Sequence, residues 1–215
     1  SERSVEGISI SNIAEKPNLK EPRDELTRNI GALTDISDDG FAALNTSFLS
    51  DGIVINVEPG VEIEAPINVI FFNSGLANKV AHPRVLVSAS QNSSVAIIES
   101  YVGGGADPTL TNSVCEIFVG VGASVTHYRL LDESDESFDV GYGRVRVSKD
   151  ARFDSRSFFK GANIGRYDLN VLIDGDGGSC DLQGLYVTSG YQHMDNFINI
   201  DHAKPNGVSN LFYKG

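Results

Sequence analysis

Positive charge is what this sequence has least of. Lysine and arginine number 17 against 29 aspartates and glutamates, a formal charge of −12 over 215 residues. That balance leaves no basic face for a nucleic acid or an anionic membrane surface. Cysteine is scarce too: Cys115 and Cys180 stand 65 residues apart, neither a disulfide framework nor the close paired spacing of a zinc site. A reducing compartment is expected. No apolar run approaches the roughly 18 residues that span a bilayer, and no charged-then-apolar leader opens the chain, so a soluble domain is expected. Nucleophile signatures are missing as well. There is no Gly-x-Ser-x-Gly and no phosphate loop, since Gly103-Gly104-Gly105 runs into Ala106-Asp107-Pro108 rather than a helix.

What remains is the composition of a folded chain, with 40% apolar and 21% charged residues. Residues 1–36 read as an irregular arm, with Pro17 and Pro22 among alternating charges. Ser37, Asp38 and Asp39 offer an N-cap, and Phe41, Leu44 and Phe48 then follow at helical spacing, predicting one short helix. Beyond Gly52 the helical signal stops. Short runs rich in Val, Ile, Phe and Tyr follow at 53–57, 67–72, 85–89, 95–98, 114–119, 125–131, 140–147, 153–159, 169–173, 180–187 and 197–200. No segment between them is long enough for a crossover helix, which argues against a doubly wound α/β fold.

The junctions between these runs repeat. Gly60-Val-Glu-Ile63 aligns with Asn92-Ser-Ser-Val95, Gly122-Ala-Ser-Val125, Asp150-Ala-Arg-Phe153 and Gly177-Gly-Ser-Cys180. Their apolar positions fall 32, 30, 28 and 27 residues apart, a drifting period with two strands per unit. Stacked strands without helices make a parallel β-helix, and the period predicts about six two-strand turns at roughly 4.8 Å per rung, near 30 Å in all. Ile63, Val95, Val125, Phe153 and Cys180 should then point inward, and Glu64, Ala96, Thr126, Asp154 and Asp181 outward. The competing reading is a β-sandwich with coincidental spacing.

Few residues invite chemistry. His127 points inward by the ladder, beside Ile97 and Leu182, and reads as a core histidine because no carboxylate lies near it in sequence. His82, before Pro83, reads as surface. His193 and Asp195 share one face of a strand and His202 follows, the weak candidates for a metal site. Cys115 and Cys180 both fall on apolar faces, where a thiolate is costly, so neither is expected to hold a cluster. Asp154 and Asp181 are the carboxylates that a β-helix lyase or hydrolase would need side by side. At the end of the chain, Val208, Leu211, Phe212 and Tyr213, with Lys214 the single charge, form an uncapped edge and the candidate interface. Opening on Ser1 and stopping at Gly215, the chain reads as a piece of a longer protein.

Two stretches carry more than general physics. One runs Phe41-Ala-Ala-Leu-Asn-Thr-Ser-Phe-Leu-Ser-Asp-Gly52, through Val57-Glu-Pro-Gly60 to Glu64-Ala-Pro-Ile67. The other runs Gly184-Leu-Tyr186, Gln192-His-Met-Asp195, Ile200-Asp-His-Ala-Lys-Pro205 and Ser209-Asn-Leu-Phe-Tyr-Lys-Gly215. Together, over about residues 40–215, they resemble the SufB/SufD family of iron–sulfur cluster assembly proteins, with the Tyr-Lys-Gly ending nearer SufD. The resemblance implies a right-handed parallel β-helix over 37–215 and a scaffold role without catalytic residues. It also implies a SufB-like partner, a SufC-like ATPase, a transient cluster, and FADH₂ in the fuller complex. The family's Cys/His stretch would lie downstream of Gly215. A cytoplasmic or plastid-stromal location and homodimerisation of the fragment follow as expectations. The runner-up is a polysaccharide-cleaving β-helix, and a purely structural repeat protein comes third.

Overall fold

A computed structural model describes residues 3–15, 29–37, 39–74 and 79–215. Its strands are β1 (Arg3–Val5), β2 (Ile8–Asn12), β3 (Ile53–Val57), β4 (Ile67–Asn73), β5 (Lys79–Ala81), β6 (Arg84–Ala89), β7 (Ser94–Gly103) and β8 (Thr109–Val119). They continue with β9 (Ser124–Asp132), β10 (Phe138–Val147), β11 (Arg152–Lys160), β12 (Ile164–Ile173), β13 (Ser179–Val187), β14 (His193–His202) and β15 (Val208–Lys214). The one α-helix among the described residues, α1 (Gly40–Ser47), precedes β3.

Alternate strands stack into two parallel sheets: β3, β6, β8, β10, β12 and β14 in one, and β4, β7, β9, β11, β13 and β15 in the other. Six strands deep in each sheet, the stack forms six two-strand rungs, about five full turns of a β-solenoid. Greek-key pairing is ruled out by the parallel registers. The inner ladder falls where the period puts it, with Val95, Val125, Phe153 and Cys180 in register and all buried.

The turns explain the repeat. Gly60, Asn92, Gly122, Asp150, Gly177 and Asn206 all take left-handed φ, between 53° and 73°. Glycine, asparagine and aspartate tolerate that region, whereas β-branched residues do not. Each turn also hands its backbone N–H to the next, as Asn92 does to Val121 and Gly122 to Lys149. The turn former is thus a requirement of the stack at every step.

The amino-terminal reading needs correcting. Within the stretch expected to be irregular, β1 and β2 form an antiparallel ribbon that continues the first sheet beyond β3. Pro17 and Pro22 lie outside the described residues, as does Asp38 of the N-cap trio. Asp39 is the cap, accepting from the amides of Phe41 and Ala42. Phe41 and Phe48 are exposed, however, and α1 docks through Ala42 and Asn45 instead. Asn45 Nδ2 donates to the carbonyls of Pro83 and Asn112. Beneath it, fully buried Arg84 pairs with Glu116 at 2.6 Å, and Glu116 also accepts from the amides of Gly31 and Leu33.

Replacing Asp150 by valine forces a β-branched residue into left-handed φ and should cost about 1–2 kcal/mol. Asp150→Gly should stay within about 0.5 kcal/mol of the parent. Urea denaturation of the three proteins measures the order, and equal midpoints would contradict the turn requirement.

Candidate functional site

Inside the solenoid the apolar ladders give way to a column of polar groups. Carrying the period of two onward from Val95 and Ile97 turns Glu99 and Tyr101 inward on β7, and the same step along β9 turns His127 and Arg129 inward. The facing sheet contributes Ser113 and Cys115 from β8 and Asp139 from β10. All seven are buried.

Their contacts are mutual. Glu99 Oε1 lies 3.0 Å from His127 Nε2, and Glu99 Oε2 accepts from the Tyr101 hydroxyl at 2.8 Å. Arg129 Nη2 donates to Asp139 at 2.8 Å and to Ser113 Oγ at 3.2 Å, while Nη1 stands 3.9 Å from Glu99. The guanidinium lies over the rings of Tyr101 and Tyr167, at 4.0 and 4.8 Å from their centroids. Gly141 makes room for it, because a Cβ there would overlap Arg129 Nη2.

Desolvation opposes every charge in this column, so the signs are set by partners. Burial would raise the Glu99 carboxyl, but His127 and Arg129 outweigh it and hold it at about 2. Burial also disfavours the Arg129 cation, and Asp139, Tyr101, Tyr167 and Glu99 more than compensate. For Cys115 the help is too small: burial and the Glu99 carboxylate outweigh Arg129 and push its thiol well above the ordinary range. At the end of the column Glu133 accepts from Thr111 at 2.8 Å, and burial followed by the proximity of Asp139 pushes it up to about 7. Thr111 and Glu133 also line a surface cleft of about 690 Å³ together with Phe48, Phe72, Val80 and His82.

These positions correct several expectations. Cys115 is in a polar cluster rather than apolar surroundings, and His127 has a carboxylate, supplied by the preceding rung instead of by its own strand. Ile97 is its register neighbour on one side, but Ser155, not Leu182, is its neighbour on the other. His82 is half-buried, stacked on Phe48 at 5.4 Å. Cys180 is buried as expected, its thiol pushed by burial to about 11.

His193, Asp195 and His202 do not converge. Asp195 is engaged by Arg166, His202 bonds Ser209 at 3.0 Å, and His193 and His202 stand at opposite ends of β14, about 30 Å apart. Asp154 and Asp181 are register neighbours, yet Arg152 holds the first at 2.8 Å and Arg156 the second at 3.1 Å. Of the edge residues, Val208, Leu211 and Phe212 are exposed. Tyr213 turns inward instead, its hydroxyl 3.2 Å from Ser157 Oγ.

The fold and its interior define a parallel β-solenoid with a buried charged column and free strand edges at its carboxyl-terminal end. The chain belongs to the SufBD family: residues 71–215 match the SUF system FeS cluster assembly SufBD core domain, and residues 2–69 match the SufBD protein N-terminal region. The two matches meet within β4. An iron–sulfur cluster assembly SufBD family protein of Synechocystis is 27% identical over 201 residues, covering 89% of this chain and 44% of its own length. One from Mycobacterium tuberculosis is 27% identical, covering 82% of this chain and 43% of its own length. The SufB protein of Bacillus subtilis is 23% identical, covering 91% of this chain and 42% of its own length. The chain spans under half the length of these relatives. No helix among the described residues is long and apolar enough to cross a membrane.

The two glutamates give stability a pH signature. Glu133, raised to about 7 from 4.5, keeps its proton in the folded state after the unfolded chain has lost it. Stability from this group therefore falls as pH rises from about 4.5 to 7, by roughly 2–3 kcal/mol. Glu99, depressed to about 2, acts in the opposite sense, its contribution being lost as pH falls below 4.5. Glu133→Gln keeps an acceptor for Thr111 and should flatten the decline between pH 5 and 7. Urea midpoints at four pH values check it; a variant that declines as steeply as the parent would show that another group titrates there.

Proposed function

We propose that the chain is a SufD-type scaffold subunit that pairs with a SufB-like subunit. With a SufC-like ATPase it builds and passes on nascent iron–sulfur clusters. The observation that carries this reading is the free end of the solenoid. β14 and β15 each have a hydrogen-bonded neighbour on one side only, and β15 leaves Val208, Leu211 and Phe212 exposed, Phe212 at 65%. Unpaired strand edges with apolar side chains recruit another strand, and backbone hydrogen bonds then supply the affinity.

On this reading the cluster is cargo rather than a resident group. Cluster irons need thiolates, and both cysteines of this span are buried singly, so the ligands come from the shared surface or from parts of the protein outside this span. FADH₂ acts on the fuller complex. The Tyr213-Lys214-Gly215 ending and the buried Cys180 support the SufD side of the family over the SufB side. A chloroplastic member from Arabidopsis fits a stromal or cytoplasmic setting. The polysaccharide-cleaving alternative loses its support, because each of its two carboxylates already has an arginine.

The test is association. Light scattering over a concentration series should show self-association of the chain through the end that the partner would take, and a SufB-like subunit should displace it. Phe212→Asp should weaken both contacts by more than about 1 kcal/mol, since it buries an unpaired charge. Asp154→Asn, on the outer face, should change neither. A strict monomer that also fails to retain a SufB-like subunit, or a dimer indifferent to Phe212→Asp, would overturn the edge as the interface.

A further inference from the structure

The donor atoms of Glu99, Cys115 and His127 all lie within 4.8 Å of one another, and among the described residues these three form the one group of histidine, cysteine and acidic side chains gathered so closely. One carboxylate oxygen, one sulfur and one imidazole nitrogen are the donors that borderline divalent ions of the zinc type prefer. Around a single tetrahedral ion such donors sit about 3.3–3.8 Å apart, given bond lengths of about 2.0–2.3 Å. The cluster needs only sub-ångström to ångström-scale closure to reach that. We infer that Glu99, Cys115 and His127 form a mononuclear binding site for one borderline divalent cation, Zn²⁺ in kind, inside the solenoid.

Charge balance supports the assignment independently of distance. In this water-excluded column Glu99 and Asp139 are opposed by Arg129 alone, which leaves one negative charge unless His127 carries an extra proton. A divalent ion with the Glu99 carboxylate and the Cys115 thiolate is neutral, and so is Arg129 with Asp139. Burying neutral units avoids the several kcal/mol that an uncompensated charge costs. Binding displaces the thiol proton of Cys115, and the hydrogen on His127 Nε2 leaves or moves to Nδ1.

The orphaned atoms agree. His127 Nδ1 is buried without a hydrogen-bond partner, and Ser155 Oγ, at the adjoining register position, is buried without one too. A metal-bound histidine presents its second nitrogen as a donor to such a group. One thiolate cannot hold a cluster, but it can hold one ion. The site is therefore distinct from cluster assembly at the free edge, and its test does not depend on that proposal.

The site is enclosed, so loading belongs to folding. The full chain is expressed in zinc-supplemented medium, dialysed against buffer, and its metal content measured; a parallel preparation carries Co²⁺ as a spectroscopic probe. One equivalent per chain is expected, with thiolate-to-cobalt charge-transfer absorption in the near ultraviolet. Cys115→Ser should abolish that band and lower retention more than about tenfold. His127→Gln should lower retention likewise, and Cys180→Ser should change neither. Zinc X-ray absorption on the unmutated chain should show one sulfur among nitrogen and oxygen neighbours, a reading that stands even if a variant fails to fold. Metal content well below one equivalent, retention unaffected by Cys115→Ser, or a zinc shell without sulfur would each overturn the site. The trio would then be a hydrogen-bonded polar core only.

Discussion

The interior of this molecule is organised around a cation that has no contact with water. Arg129 can stay charged there because Asp139 and Ser113 accept from Nη2, Glu99 stands beside Nη1, and the rings of Tyr101 and Tyr167 lie against the guanidinium, with Nε alone left without a hydrogen-bond partner. Removing any one of these leaves a buried charge partly unpaired, which costs far more than the pair is worth over an apolar substitute. The arrangement also fixes register. Sliding β9 by one residue would turn Arg129 and His127 to the outside and bring Tyr128 and Leu130 into the column.

β8 joins this interior to the exterior. Its inward residues Ser113 and Cys115 belong to the column, while its outward residues Asn112 and Glu116 lie under α1 and the segment at 29–34. A strand of this sheet with both faces covered has no solvent side, and nearly every residue of β8 is buried. Two buried arginine–carboxylate pairs therefore sit on opposite sides of one wall: Arg129–Asp139 inside and Arg84–Glu116 outside. The amino-terminal segment is held by charge and amide contacts and by Ile13, Ile30 and Leu49 packed on Val54 and Leu86, rather than by the phenylalanines that its helical spacing suggests.

The solenoid was legible in the sequence because its two determinants are local. A turn former with left-handed φ and an alternating strand lie within a few residues of each other, so aligning Gly60, Asn92, Gly122, Asp150 and Gly177 exposes the repeat. The buried column was not legible from proximity along the chain. Glu99 and His127 are 28 residues apart, one rung, and Cys115 comes from the other sheet. The signal that could have found them is the same period of two: carried two steps past Ile97 it reaches Tyr101 through Glu99, and carried past Val125 it reaches Arg129. Charged residues on an inward face are the anomaly to look for. The β1–β2 ribbon was missed because strands of three and five residues in a polar stretch give too few alternations to stand out.

That ribbon makes the two ends of the stack unlike. At one end the first sheet finishes in an antiparallel strand of three residues; at the other it finishes in the ten-residue parallel strand β14. A further copy added head to tail would have to lay β14 against β1, a ten-residue edge on a three-residue one. Contact between like ends, by contrast, sets β14 and β15 against their own counterparts about a two-fold axis, and closure then stops at two chains. Unlike ends thus give the open-edged solenoid a way to pair without growing into a filament.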